Sequence, residues 1–242
     1  MRKSLIIGGW LLPLIFGFTS VHGQLQDRLE EADQLFAEKK YTESFGIYQD
    51  LLASEMASPS MLVKMAFIKE GLGDYTSALY YLNLYYLETS NKNVLEKMED
   101  LAEKYNLVGY DFSDSEFFLN LYHRHYEKLY YGLIALSLII FGVIFYQKFK
   151  LGARPVSATV IYVLVILVLA AFVNLDNNFQ KGIIAKDTSY LMSAPSSGSE
   201  LVEVVKPGHR VDILGHKDVW IKISWKGKTA FVRENNIRVI ES

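Results

Sequence analysis

LYYGLIALSLIIFGVIFYQ (residues 129–147) and PVSATVIYVLVILVLAAFVNL (residues 155–175) contain no charged side chain. Each has about the 20 residues that a helix needs to cross a bilayer's hydrocarbon core. The stretch between them, KFKLGAR (residues 148–154), carries Lys148, Lys150 and Arg154 and no acid. The pattern predicts two transmembrane helices joined as a hairpin with a basic tip. Basic residues in short loops favour the cytoplasmic side, whereas the outer flanks are mixed, with Glu127 and Lys128 on one side and Asp176 and Lys181 on the other. Tyr130, Tyr131 and Tyr146 suit the two membrane interfaces. A hairpin returns the chain to the side it left. Everything before residue 129 and after residue 175 is therefore expected in one compartment.

The N-terminus points the same way. Arg2 and Lys3 precede an apolar run, Leu5–Phe18, and Val21-His22-Gly23 offers a cleavage site before Gln24, the organisation of a secretory signal. An uncleaved anchor is the other reading, and both export residue 24 onward. The exported parts differ in charge. Residues 24–128 hold 19 acids and 10 bases, and residues 176–242 hold 8 acids and 10 bases. Neither has the basic stripe that nucleic acid requires. The chain has no cysteine, which excludes disulfides, thiolate metal sites, a cysteine nucleophile and a lipid-modified N-terminal cysteine.

Residues 27–106 carry helical periodicity and, above it, a period of 34. Ala32 recurs as Ala66, Tyr41 as Tyr75, Ser44 as Ala78 and Tyr48 as Leu82. Small residues recur where two helices would cross. A helix–turn–helix unit of 34 residues has the tetratricopeptide spacing, and the stretch from Ala66 to Ala78 resembles such a repeat. Two repeats are expected, near residues 25–57 and 59–91. A further shift takes Tyr75 to Gly109, beside Tyr110, and Ala78 to Phe112, so the pattern stops. Residues 93–106 form a capping helix with Val94, Leu95, Met98, Leu101 and Ala102 on its apolar face and an N-terminal cap from Asn93 with Glu96. Ser113 with Glu116 forms a capping box that opens a juxtamembrane helix over 113–128, running on into the first span. The resemblance implies a partner site on the concave side of the first helices, at Leu29, Asp33, Phe36, Val63, Phe67 and Glu70. The alternative is that these residues are only core. The Tyr80-Tyr81 and Tyr85-Tyr86 pairs read as packing.

After Asp176 the pattern alternates with period two. Val211 and Ile213 flank Asp212, and Val219, Ile221, Ile223 and Trp225 alternate with Trp220, Lys222 and Ser224. Lys226-Gly227 is a hairpin turn. Gly208 and Gly215 are expected to end neighbouring strands. Five or so short strands in 176–242 predict a closed or nearly closed barrel. Gly208-x-x-Val211-x-Ile213-Leu214-Gly215, Val219–Ile223 and Lys226-Gly227-x-x-Ala230-Phe231-Val232 resemble a bacterial SH3-like domain. Ala230 stands where that family has glycine. Trp220, opposite in phase to the core set, is expected at the surface with Tyr190 and Phe231 as a peptide or glycan-peptide groove. The alternative is a tryptophan that merely covers a barrel end.

No catalytic constellation is visible. His123 and His125 lie two apart and cannot chelate on one helix face. There is no nucleophile elbow and no phosphate loop. The spans hold no ionisable acid or base, which argues against transport. The expectation is a multi-domain membrane protein that is not an enzyme and has no cofactor, metal or catalytic residue. Its parts are a signal peptide (1–23), an all-α tetratricopeptide-like domain (24–112), the juxtamembrane helix, the hairpin and a small all-β SH3-like barrel. That order, with the Gly73–Tyr86 stretch, resembles the BatE family of bacterial aerotolerance operons. The resemblance implies a bacterial inner-membrane protein whose two soluble modules face the periplasm. It also implies von Willebrand-type-A membrane proteins and a MoxR-type ATPase as neighbours. The expected role is a scaffold binding proteins through both modules. Competing expectations are an envelope sensor or anchor whose SH3-like domain binds peptidoglycan, and a closed unit in which the two modules bind one another.

Overall fold

The computed structural model describes residues 12–152, 154–174 and 180–240. Arg2, Lys3 and the start of the apolar run of the expected export signal lie outside them. Seven α-helices precede seven strands among the described residues: α1 Leu12–Ala37, α2 Tyr41–Ala53, α3 Pro59–Gly71, α4 Tyr75–Thr89, α5 Asn93–Tyr105, α6 Asp114–Phe149 and α7 Val156–Asn174, then β1 Gln180–Ile184, β2 Ser189–Met192, β3 Leu201–Val205, β4 Arg210–Lys217, β5 Trp220–Trp225, β6 Lys228–Arg233 and β7 Ile237–Ile240. The chain divides into two compact units between Tyr85 and Tyr86, within α4.

In the first unit, the turns before α2 and α4 have the same geometry 34 residues apart. Lys39 and Gly73 both take positive φ, 62° and 77°. Lys39 and Lys40 donate to the carbonyls of Phe36 and Leu35, and Gly73 and Asp74 donate to those of Glu70 and Lys69. Ala32, Ser44, Tyr48, Ala66, Ala78 and Leu82 are all buried. Ser44 is polar yet fully buried because its hydroxyl donates to the Ala32 carbonyl at 2.9 Å. The helix starts differ. Ser58 caps α3, accepting from Met61 N–H at 3.2 Å with Pro59 following. Asp74 accepts from Ser77 N–H at 3.0 Å. Burial pushes the Asp74 carboxyl up, but the Ser77 hydrogen bonds and the Lys69 ammonium outweigh this and hold it below its ordinary range. Lys40, at the matching position before α2, caps nothing.

The second unit contains α5–α7 and the sheet. Val94, Met98, Leu101 and Ala102 are the buried face of α5. Its N-terminus differs from expectation: Asn93 is already helical and donates to Asn91 Oδ1 at 3.0 Å, so the capping acceptor lies two residues earlier. Helix α6 runs unbroken for 36 residues. It forms an antiparallel hairpin with α7: Tyr126 stacks on Phe172 at 4.9 Å, and Phe141 meets Tyr162 at 6.1 Å. Arg124–Phe149 and Val156–Asn174 are long and apolar enough to cross a membrane, with mean hydropathies of 2.2 and 2.8.

The seven strands form one antiparallel sheet in the order β3-β2-β6-β5-β4-β1-β7. All seven send side chains into one core, from Ile184 on β1 to Ile237 on β7, so the sheet curls around a single interior with β3 and β7 as its edges. There are more strands than the five or so expected. Gly182 breaks the apolar alternation of β1, yet a Cβ there would lie 2.6 Å from Ile237 Cδ1; the neighbouring side chain fills the glycine's space. Gly215 lies inside β4, at a register shift between Ile213 and Gly215, and ends no strand. Such bulges re-aim a strand without stopping it. Val219 is exposed and outside the core, because Asp218 turns left-handed (φ 56°) and β5 begins only at Trp220. Lys226 and Gly227 both take positive φ, 49° and 76°, the two-residue hairpin geometry whose twist matches the strands.

A left-handed lysine and an uncapped helix each cost stability. Replacing Lys39-Lys40 by Gly-Asp, the residues of the second turn, should stabilise the chain by about 1–2 kcal/mol. Thermal unfolding of the detergent-solubilised protein should show a midpoint several degrees higher.

Candidate functional site

Three surfaces bear on function. The first is the face expected to bind a partner in the helical unit. Leu29, Asp33 and Phe36 on α1 and Val63, Phe67 and Glu70 on α3 line corresponding faces, and the two sets meet. Lys64 bridges to Asp33 at 2.8 Å, and the Phe36 and Phe67 rings pack edge-on at 5.8 Å, with Tyr41 completing the cluster. Asp33 is also the acceptor of the Tyr48 hydroxyl at 2.6 Å. It thus ties three helices together. Val63 and Phe67 remain open, at 40% and 54% exposure. Leu29, Asp33 and Phe36 are half-buried and Glu70 is exposed.

The second surface is the outer face of the sheet. Phe231 lies opposite both Met192 and Lys222 in the ladders, and directly opposed residues share a face. Tyr190, two residues before Met192, and Trp220, two before Lys222, belong to the same face. Tyr190 is 55% exposed and Phe231 is half-buried. Trp220 does point away from the core set, but it is only 7% exposed. Arg233, its ladder partner, lies over the indole ring at 5.5 Å and is itself held by Ser197. The exposed groove tryptophan expected from phase alone is therefore a covered one.

The third surface is one that sequence reading missed. Residues 107–112, just before α6, lie along the barrel where β4 begins. Val108 C=O accepts from Arg210 N–H at 3.0 Å, and Val108 N–H donates to His209 Nδ1 at 3.0 Å. Tyr110 is buried and its hydroxyl donates to the Gly208 carbonyl at 2.8 Å. Burial pushes the phenol's pKa well up, so it remains a donor. Arg210 donates to the Gly109 carbonyl at 3.1 Å, lies 4.8 Å from the Phe112 ring centre and pairs with Glu116 at 3.4 Å. Lys181 bridges the same Glu116, at 2.6 Å, and Asp212. The expected capping box is consequently half formed. Ser113 Oγ accepts from Glu116 N–H at 3.3 Å, but the Glu116 carboxylate has turned to the two barrel cations.

His209 is neutral in this arrangement, because an N–H donor requires a lone pair on Nδ1. Burial lowers its pKa, with Lys226 lowering it further and Glu203 raising it in part. Its ring meets Trp225 edge-on at 5.2 Å. Trp225 Nε1 donates to Glu203 at 2.7 Å, a bond that with Lys226 lowers the Glu203 pKa. A shallow cleft of about 210 Å³ beside the docked segment is lined by Asp111, Lys181, Arg210, Asp212, Ser224 and Lys226 among others. Its cations and carboxylates largely offset one another, which favours neither a simple anion nor a cation. Among the described residues no cluster of His, Asp and Glu is placed to hold a metal.

Gly109 is the residue on which this docking turns. Its φ is +94°, and a Cβ there would lie 1.9 Å from the Arg210 carbonyl oxygen. Both its backbone angle and its closeness to another backbone demand glycine. Gly109 and Tyr110 are visible in the sequence only as the point where the 34-residue period fails. His209 and Arg210 leave no local signal, because their partners are about a hundred residues away in the chain.

Gly109→Ala should cost about 2–3 kcal/mol of local stability, from left-handed strain plus a backbone clash. Limited proteolysis should show faster cleavage within 107–112. Gly46→Ala, on an exposed face of α2 with nothing within 4 Å of the new Cβ, should instead stabilise by about 0.5–1 kcal/mol.

No match was found among curated proteins. Residues 188–238 match the family model of the bacterial SH3 domain, so the C-terminal sheet is an SH3-like domain, of a kind that commonly binds proteins or peptidoglycan.

Proposed function

We propose that this chain is a non-enzymatic, membrane-anchored scaffold that presents a helical-repeat module and an SH3-like module on the periplasmic side of a bacterial inner membrane. One observation carries the reading: the residues just before the apolar hairpin and the barrel after it are bonded together, through Val108–Arg210 and Glu116–Lys181. That is the arrangement expected if both flanks share one compartment. The hairpin itself supports membrane insertion. Helix α7 has no buried residue and is apolar all round, a surface that suits lipid and not water. The basic tip supports a cytoplasmic loop. The matched turns 34 residues apart support a tetratricopeptide-like module that binds protein. The layout supports work within a Bat/MoxR-type stress or aerotolerance complex, with von Willebrand-type-A membrane proteins as partners.

Because the chain has no cysteine, single cysteines report topology cleanly. In spheroplasts an impermeant maleimide should label Lys217→Cys, and should label Leu151→Cys only after the membrane is permeabilised. The opposite pattern rejects the orientation. Crosslinking of the intact protein in membranes should recover a membrane protein partner, and Phe67→Ala should weaken its capture.

The bacterial SH3 match favours a second reading, in which the barrel binds peptidoglycan and the protein is an envelope anchor or sensor. The solubilised full chain would then be retained on purified cell wall. Tyr190→Ala, at the most open aromatic of the outer face, should reduce that retention severalfold. No retention of the unaltered chain removes this reading.

A further inference from the structure

We propose that residues Leu107–Phe112 form a latch on the SH3-like barrel that opens when His209 takes up a proton. Val108 N–H points at His209 Nδ1 at 3.0 Å, and a main-chain N–H can only donate. The closed latch therefore needs the neutral imidazole with its proton on Nε2. A proton added at Nδ1 removes the acceptor and sets one N–H against another.

The surroundings of His209 make this proton uptake selective. The groups that face it are the Glu203 carboxylate on β3, the Lys226 ammonium at the β5–β6 turn, the Trp225 ring and the Val108 amide. Glu203 is shared with Trp225 Nε1 and Lys226, so it cannot turn fully to an imidazolium. Burial and Lys226 disfavour the cation while the latch is shut. Linkage then sets the sign: a histidine whose pKa is depressed in the closed form stabilises that form fully above its ordinary value near 6.5. The contribution fades as pH falls through the depressed value.

The Tyr110–Gly208 and Arg210–Gly109 bonds lie inside the latch and open with it, whereas Glu116 still pairs with Arg210 and Lys181. Opening is accordingly local to the 107–112 segment and leaves the barrel anchored on α6. It exposes the start of β4, where the chain's own extended segment had been seated. The latch is independent of whether the barrel's ligand is protein or cell wall.

Hydrogen exchange of the full-length protein in detergent at pH 7.5 and 5.5, corrected for the intrinsic exchange rate, tests this. Protection of the Val108 and Arg210 amides, the two bonded across the latch, should fall roughly fivefold to tenfold at the lower pH, the effect of losing about one net hydrogen bond. Protection in β5 should not change. His209→Asn places an amide oxygen where Nδ1 sits and does not titrate, so protection should become independent of pH. His209→Ala should give low protection at both pH values. Equal protection of the unaltered protein at both pH values overturns the latch, as does the same loss in His209→Asn.

Discussion

Gly109 and the Arg210 carbonyl approach each other too closely for any side chain to intervene, and the organisation of the second unit depends on that approach. It lets an extended strip of chain lie flat on the barrel, so that Val108 pairs with the start of β4 on one side and Tyr110 buries its ring on the other. The residues joined are about a hundred apart and bracket the whole apolar hairpin. Closing so long a loop is entropically costly, but the antiparallel α6–α7 hairpin has already brought its two ends together. The tyrosine and phenylalanine contacts at the open end, Tyr122 and Tyr126 against Phe172, hold those ends in register.

Glu116 shows how the docking reshapes local chemistry. At the N-terminus of α6 a carboxylate is favoured by the helix dipole, and in an isolated helix it would fold back as the second half of a capping box. Here two barrel cations, Lys181 and Arg210, compete for it and win. Arg210 is almost entirely buried, and a buried guanidinium without a counter-ion is far more costly than a helix end left partly open to water. One carboxylate thus links the helix that leads into the apolar hairpin to the strand that follows it. Asp33 plays a similar part in the first unit, where it joins α1 to α2 through Tyr48 and to α3 through Lys64.

Much of the fold is legible in the chain because it rests on local periodicity. The two charge-free runs specify α7 and most of α6. The 34-residue spacing of Tyr41 and Tyr75 marks two helix starts, and Lys226-Gly227 marks a hairpin. Reading failed where a residue's environment comes from elsewhere. Val219 fits the alternation of β5 but falls in a turn that Asp218 bends. Gly215 looks like a strand end but lies inside β4, at a shift of register against β5. Trp220 has the phase of a surface residue and is covered by Arg233 from the neighbouring strand. Phase tells which way a side chain points, and only its neighbours tell whether anything lies on top of it.

The sequence by itself determined the element types, the apolar hairpin and the presence of two kinds of module, since each follows from patterns repeating within a few tens of residues. Only the tertiary structure decided that the strip before the hairpin is seated on the barrel beyond it, that Glu116 serves that contact instead of its own helix, and that His209 is held as a neutral acceptor. Those outcomes depend on pairings between residues 65 to 101 positions apart. Composition and periodicity carry no record of such pairings, because neither partner's identity constrains the other until the hairpin has brought them within hydrogen-bonding distance.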